Sequence, residues 1–217
     1  YNPSQGEASD IYVGDPDYND FVNEQWRVGY ELEHEMDNGV TLRQNLRYSE
    51  VDADLEFSGI YAAGTGFGRY WGHYLENSEN FSVDTYAEGH FSTGAFDHTV
   101  VAGFDYTQSS YDAYYGGVGY VSAADTDAVD QPYSNGQEMY QYGVYVHDQL
   151  SSGPWTMFLS GRYDWVDMTT FDANQNGTDT SHNGFSGRVG LSYAFNTDLS
   201  VYANVSSSFV PTTGLVY

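Results

Sequence analysis

The chain has 217 residues and no Cys, which excludes disulfides and Cys-based zinc sites. Its formal charge is −25, from 31 acidic residues against six basic ones that are all Arg, so nucleic acid and anionic lipid are poor partners for its surface. Aromatics make up 18 %, with 22 Tyr and 24 Gly, a balance that suits twisted β-sheet with interfacial aromatic girdles better than helix bundles. No signal peptide is visible and no apolar run approaches the roughly 18 residues of a spanning helix, so a membrane role has to run through strands.

Residues 1–20 are polar, turn-rich and aperiodic, and read as loop. From Phe21 an alternation begins: Trp26, Val28, Tyr30, Leu32 and Met36 share one face, opposed by Arg27, Gly29, Glu31, Glu33 and Glu35. Asp37-Asn38-Gly39 predicts a tight hairpin turn, because Asn-Gly readily takes positive φ. A second strand runs from Val40 to about Tyr61, with Leu42, Leu46 and Tyr48 opposing Arg43, Asn45 and Arg47. A Gly-rich connection, Ala62 to Gly68, leads to a third strand from about Arg69 to Phe91, and Ser92-Thr93-Gly94 turns the chain again.

The fourth strand spans Phe96 to about Tyr115, and the long stretch Gly116 to Gln137 reads as structureless. Glu138 to Asp167 forms the clearest hairpin, turning at Ser151-Ser152-Gly153-Pro154. Tyr140, Val144, Leu159 and Trp165 lie on its apolar side and Gln141, Arg162 and Asp164 on the other. A polar loop, Asp172 to Asn183, precedes a seventh strand around Phe185–Phe195. Asn196-Thr197-Asp198 turns into an eighth, beginning at Leu199.

Eight antiparallel strands whose connections alternate between short and long are the pattern of an outer-membrane barrel. Several strands exceed the roughly 9–11 residues that cross a bilayer. Arg27, Arg43, Arg47, Arg162 and Arg188 all fall on polar faces, as they must if the apolar face meets lipid, where an Arg at the midplane costs about 2–4 kcal/mol. A soluble β-sandwich would bury the apolar face instead, and periodicity alone does not separate the two; aromatic content and strand length favour the barrel. Strand one and strand eight both reach the long-loop side at their outer ends. The expectation is therefore about eight strands of a larger barrel over residues 21–209, with 1–20 and 210–217 as parts of external loops.

With the strands placed, VGYELEHEMDNGVTLRQNLRYSEV (28–51), NFSVDTYAEGHFSTGAFDHTVVAGFDY (80–106), GVYVHDQL (143–150), LSGRYDWVD (159–167) and FSGRVGLSYAFNTDLSVYANVSSSFVPTTG (185–214) resemble TonB-dependent siderophore receptors, in particular the ferric hydroxamate (ferrichrome-type) branch. The resemblance covers the chain from about Val13 onward. It implies a 22-stranded barrel with an N-terminal plug, neither plug nor TonB box lying in this sequence. It also implies a Gram-negative outer-membrane location, TonB as energy source, and a ferric hydroxamate siderophore as ligand rather than a substrate for enzymatic chemistry. By the same resemblance, Tyr61 and Tyr115 present aromatics to the ligand. A further ligand aromatic expected two positions after Tyr61 is Ala63 here, and the Glu of a Ser-Phe-Glu-Pro block is Val210.

Trp71, Tyr111 and Tyr114 stand near the same long-loop ends and join the candidate set for a neutral, partly apolar chelate. An aromatic girdle at the outer interface would claim about half of them. Asp172, Asn174, Asn176 and Asp179 match the first half of a calcium loop, but Asn183 stands where its twelfth-position Glu is expected, and an Asx-rich turn is the default. Asp125, Asp127 and Asp130 form a weaker version. The six His show no metal-ligand spacing, no intrinsic cofactor is implied, and no nucleophile elbow or phosphate-cradling loop appears. Two other functions fit the composition: a structural or adhesive Tyr-rich surface protein, and a small eight-stranded porin-like barrel.

Overall fold

A computed structural model describes residues 14–63, 66–119 and 132–211. Eight strands form one sheet in strict chain order: β1 (Asp20–Glu35), β2 (Thr41–Ala63), β3 (Gly66–Thr93), β4 (Phe96–Gly119), β5 (Tyr133–Ser152), β6 (Trp155–Phe171), β7 (Gly177–Ala194) and β8 (Ser200–Ser207). Every pairing is antiparallel and between sequence neighbours. Among the described residues no helix is long and apolar enough to cross a membrane. The sheet is not closed into a ring: β1 and β8 are its two edges.

The tight turns are built as their residues dictate. At the β1–β2 turn, the Gly39 N–H donates to the Met36 carbonyl (2.9 Å) and Gly39 takes φ 79°. This is a three-residue loop whose last residue is left-handed. Thr93 pairs with Phe96 and Ser152 with Trp155, leaving two-residue loops whose first residues, Gly94 and Gly153, have φ 63° and 56°. Only glycine takes that first position without steric cost. Asn196 closes the β7–β8 turn by accepting the N–H groups of Asp198 and Leu199 at its side-chain oxygen.

The strands are longer than the alternation suggests. β4 and β5 extend into the stretch expected to be structureless, β2 and β3 leave only two residues between them, and β7 begins at Gly177 inside the expected polar loop. The alternation of apolar and polar residues marks a strand only where one face meets an apolar medium. Beyond that band both faces carry Tyr, Gly, Thr and acids, and the ladder continues without its signature.

The sheet has no ordinary core between layers. Val28, Leu32, Phe104, Val144, Val146, Phe185, Val189 and Val205 all point out from the apolar face with about half or more of their surface exposed. The opposite face is charged and internally bonded. Arg162 forks onto Asp105 and Asp164, with nitrogen–oxygen distances of 2.5–2.9 Å. Tyr145 donates to Asp84 at 2.7 Å, and Arg43 bridges Glu33 and Glu88 at 2.7 Å each. Gly143 lies beneath Arg162, where an added Cβ would come within 2.1 Å of the guanidinium. An exposed apolar face opposite an internally bonded charged face is the arrangement expected of a barrel wall, and among the described residues no second layer packs on the apolar face.

Candidate functional site

The roughly 9–11 residues of each strand nearest the tight turns are enough to cross a bilayer. Past them, on the charged face, the residue types change. Phe57 and Tyr61 of β2, Tyr70 and Tyr74 of β3, and Tyr111 and Tyr115 of β4 share this face by their register. Five rings form a contiguous chain: Tyr61–Tyr70 (6.3 Å between centroids), Tyr70–Phe57 (5.9 Å), Phe57–Tyr74 (5.0 Å) and Tyr74–Tyr115 (4.6 Å). Tilted and edge-on arrangements of this kind suit aromatic pairs, whose faces are negative and edges positive.

Glycine makes room for the rings. Tyr61 pairs across the ladder with Gly68, Gly59 with Tyr70, and Phe57 with Gly72. A Cβ on Gly68, Gly59 or Gly72 would fall within 2.5–2.6 Å of the facing ring. The rings lie flat over the bare backbone of the neighbouring strand, which fixes them where they are.

Glu76 sits between Tyr111 and Tyr115. Both phenols donate to its Oε1, at 3.0 and 2.8 Å, and the two hydroxyl oxygens lie 2.9 Å apart. Glu76 pairs with Ala113, fully buried, which is small enough to let the two flanking phenols converge. Burial first, then the bonds to Tyr115 and Glu76, push the Tyr111 phenol far above its usual value. Tyr115 is also raised, again chiefly by burial. Both therefore stay neutral donors at any ordinary pH.

Of the residues expected from the sequence, Tyr61, Tyr111 and Tyr115 come together on this face. Trp71 and Tyr114 stand on the other. Trp71 is 4 % exposed and donates from its indole to Asp15 (3.4 Å), whose carboxylate also faces Arg69 (3.8 Å) and whose N–H donates to the Ser58 hydroxyl. It anchors residues preceding β1 to the β2–β3 hairpin. Tyr114 packs edge-on against Tyr133 at 5.5 Å. The side chain of position 63 and the residues Asp125, Asp127 and Asp130 lie outside what is described; Val210 is 79 % exposed.

Residues 172–176 form a tight turn. Asp172 and Asn176 are closed by an N–H to carbonyl bond of 3.1 Å, and Gln175 is left-handed at φ 61°. The Asp172 carboxylate accepts the N–H groups of Asn174 (2.8 Å) and Asn176 (2.9 Å) and the Asn176 amide. The Asn176 bonds foremost hold its pKa below the usual carboxylate value. Asp179 is on β7 and accepts the Thr169 hydroxyl at 2.8 Å. Among the described residues no three His, Cys, Asp or Glu are grouped to hold a metal.

Phe57, Tyr70, Tyr74 and Glu76 were not among the expected residues. The signal for the three rings was the alternation Gly68-x-Tyr70-x-Gly72-x-Tyr74 facing Phe57-x-Gly59-x-Tyr61, a ring opposite each glycine; Glu76 lies outside that pattern.

A family model described as TonB dependent receptor-like, beta-barrel, matches residues 1–217. Among curated proteins, the chain is 31 % identical to the ferrioxamine B receptor of Salmonella typhimurium, covering 95 % of this chain and 31 % of that protein. It is 29 % identical to the ferrichrome outer membrane transporter/phage receptor of Escherichia coli K12, covering 90 % of this chain and 31 % of that one. The chain thus spans about a third of the length of these relatives. Among solved structures, the ferripyoverdine receptor of Pseudomonas aeruginosa bound to ferripyoverdine aligns with a TM-score of 0.70 at 21 % identity, over 93 % of this chain and 29 % of that one. The open form of the Escherichia coli ferric-catecholate import receptor Fiu gives 0.75 at 15 % identity, over 90 % of this chain and 37 % of that one. These last two likenesses concern the fold.

Proposed function

Because the chain belongs to the TonB-dependent receptor β-barrel family, we propose that it forms wall strands of an outer-membrane receptor that takes up a ferric siderophore of the hydroxamate type. The apolar face meets lipid, the charged face lines the lumen, and the tight turns lie on the periplasmic side. Transport draws its energy from the TonB complex through a plug that fills the barrel. This is a receptor's work, with no covalent chemistry on the ligand.

The observation that carries the reading is the ring chain Tyr61–Tyr70–Phe57–Tyr74–Tyr115, on the lumenal face and beyond the lipid-crossing residues. A ferric hydroxamate buries its metal in an organic shell that is apolar outside and carries few charges. Rigid aromatic area set by a sheet binds such a shell at little entropic cost. The two curated relatives reported above are receptors for ferrioxamine B and ferrichrome, which supports the hydroxamate class.

The test is uptake of radioactive iron as ferric hydroxamate by iron-starved cells expressing the whole gene. Wild-type cells accumulate iron in a TonB-dependent way. Tyr61→Ala and Tyr115→Ala each weaken binding about tenfold or more, in the range of an aromatic anchor. Equal uptake by wild type, both variants and a strain lacking the gene would remove the reading.

A further inference from the structure

The lumenal face changes its chemistry along its height. Near the tight turns it is dense with charge: Glu33, Arg43, Asp84, Glu88, Asp105, Arg162 and Asp164. Beyond Arg27 and Arg47 the same face of β1–β4 carries Phe21, Asn23, Val51, Ala53, Leu55, Phe57, the tyrosines, serines and glycines, and one charged residue, Glu76. At the same height the outward face holds Glu24, Glu50, Asp52, Asp54, Glu56 and Asp112. In so acidic a chain, a face cleared of all carboxylates but one singles that carboxylate out.

Its surroundings define what it can do. Tyr111 and Tyr115 both donate to Oε1 of Glu76, while Oε2 accepts no hydrogen bond among the described residues. Tyr74 packs tilted against Tyr115, with ring centroids 4.6 Å apart. No arginine shares this part of the face: Arg43 and Arg162 are bound lower down, and Arg69 is on the opposite side with Asp15. A lone carboxylate held by two phenol hydroxyls, with one oxygen accepting no bond among the described residues and no arginine beside it, is the chemistry that receives an organic ammonium.

We infer that Glu76, with Tyr111 and Tyr115, is a specificity-determining subsite for a protonated amine on the ferric chelate, so that the receptor favours cationic ferric hydroxamates over neutral and anionic chelates. This rests on the receptor reading above. The rings bind the shell of the chelate and Glu76 reads its charge. A chelate without the amine leaves the carboxylate unmatched, and one with net negative charge is repelled by it.

The experiment measures binding to outer membranes containing the receptor expressed from its whole gene. The probes are the ferric complex of a linear trihydroxamate ending in a primary amine and the same complex N-acetylated. Wild type should bind the amine form more tightly. Glu76→Gln keeps the size and still accepts both phenols, so the fold is preserved. It should weaken the amine form about tenfold and leave the acetylated form within about twofold. The wild-type preference should also shrink as salt rises. If wild type binds both probes and Glu76→Gln changes them equally, or changes neither, Glu76 is only a pin for the two phenols and the inference is overturned while the receptor reading stands. If wild type binds neither ferric complex, the receptor reading itself falls, and this inference with it.

Discussion

Replacing Arg162 with Leu would remove the forks that hold Asp105 and Asp164 side by side, leaving two carboxylates facing each other with Asp164 only 4 % exposed. The expected loss is about 1–3 kcal/mol, below that of a fully buried pair because the Arg162 side chain keeps 29 % of its surface. Urea unfolding of the barrel in lipid vesicles would measure it, and adding Asp105→Asn and Asp164→Asn should recover part of the loss. At Tyr111 and Tyr115 the folded state raises the phenol's pKa, so their stabilisation is complete below the unfolded value near 10 and is lost as pH climbs through the higher folded values. In a phenolate absorbance titration these two should ionise after the exposed tyrosines. The Tyr111→Phe, Tyr115→Phe pair should lower the late-ionising amplitude by two phenols and leave the early steps unchanged.

At the same scale, the candidate site was partly legible in the sequence. Tyr61 and Tyr115 follow from the family resemblance and Tyr111 from its place near the strand end. Trp71 has the parity of Phe81 and Val83, and Tyr114 that of Phe104 and Tyr106, so unbroken alternation already put both on the apolar face. Tyr70, Tyr74 and Glu76 share the parity of Asp84. They lie within the strand expected from Arg69, so parity alone gives their face; what alternation leaves open is the register that brings them beside Phe57, Tyr61, Tyr111 and Tyr115.

Among the elements, the turns and the strand ends behave differently. Gly39, Gly94 and Gly153 announce their turns, since each sits where φ is positive. The 172–176 turn hides its tightness behind Gln175, a non-glycine at φ 61°. Gln175→Gly should stabilise it by about 0.5–1 kcal/mol through relief of the left-handed conformation. Asp172 has a lowered pKa, so the turn keeps its bonds above the unfolded carboxylate value and loses them as pH falls through the depressed folded one. Hydrogen exchange at the Asn174 and Asn176 amides should accelerate over that acid window, beyond the intrinsic trend, and Asp172→Ala should show the fast rate already at neutral pH. The outer strand ends were read short because water on both sides erases the apolar–polar alternation while leaving the ladder intact.

For the whole molecule, orientation is the property that follows most directly from composition. Val146 is 49 % exposed on the apolar face, whereas Arg162 on the neighbouring strand is tied into the charged one. Val146→Arg should cost about 2–4 kcal/mol and lower the amount of folded receptor in the outer membrane. Ser160→Arg, of lumenal parity, should be accepted with little change, a contrast readable from heat-modifiable mobility on gels. A soluble sandwich would reverse that order.

Among the described residues each strand bonds only to its neighbours in the chain, two for the inner strands and one for β1 and β8. Every seam of the sheet is therefore local in the chain, and no hairpin has to wait for a distant segment to find its partner strand. Damage obeys the same rule, since a defect in one strand disturbs at most two seams and no others. Such a wall can be lengthened or shortened by whole hairpins without changing the pairing of the strands that remain.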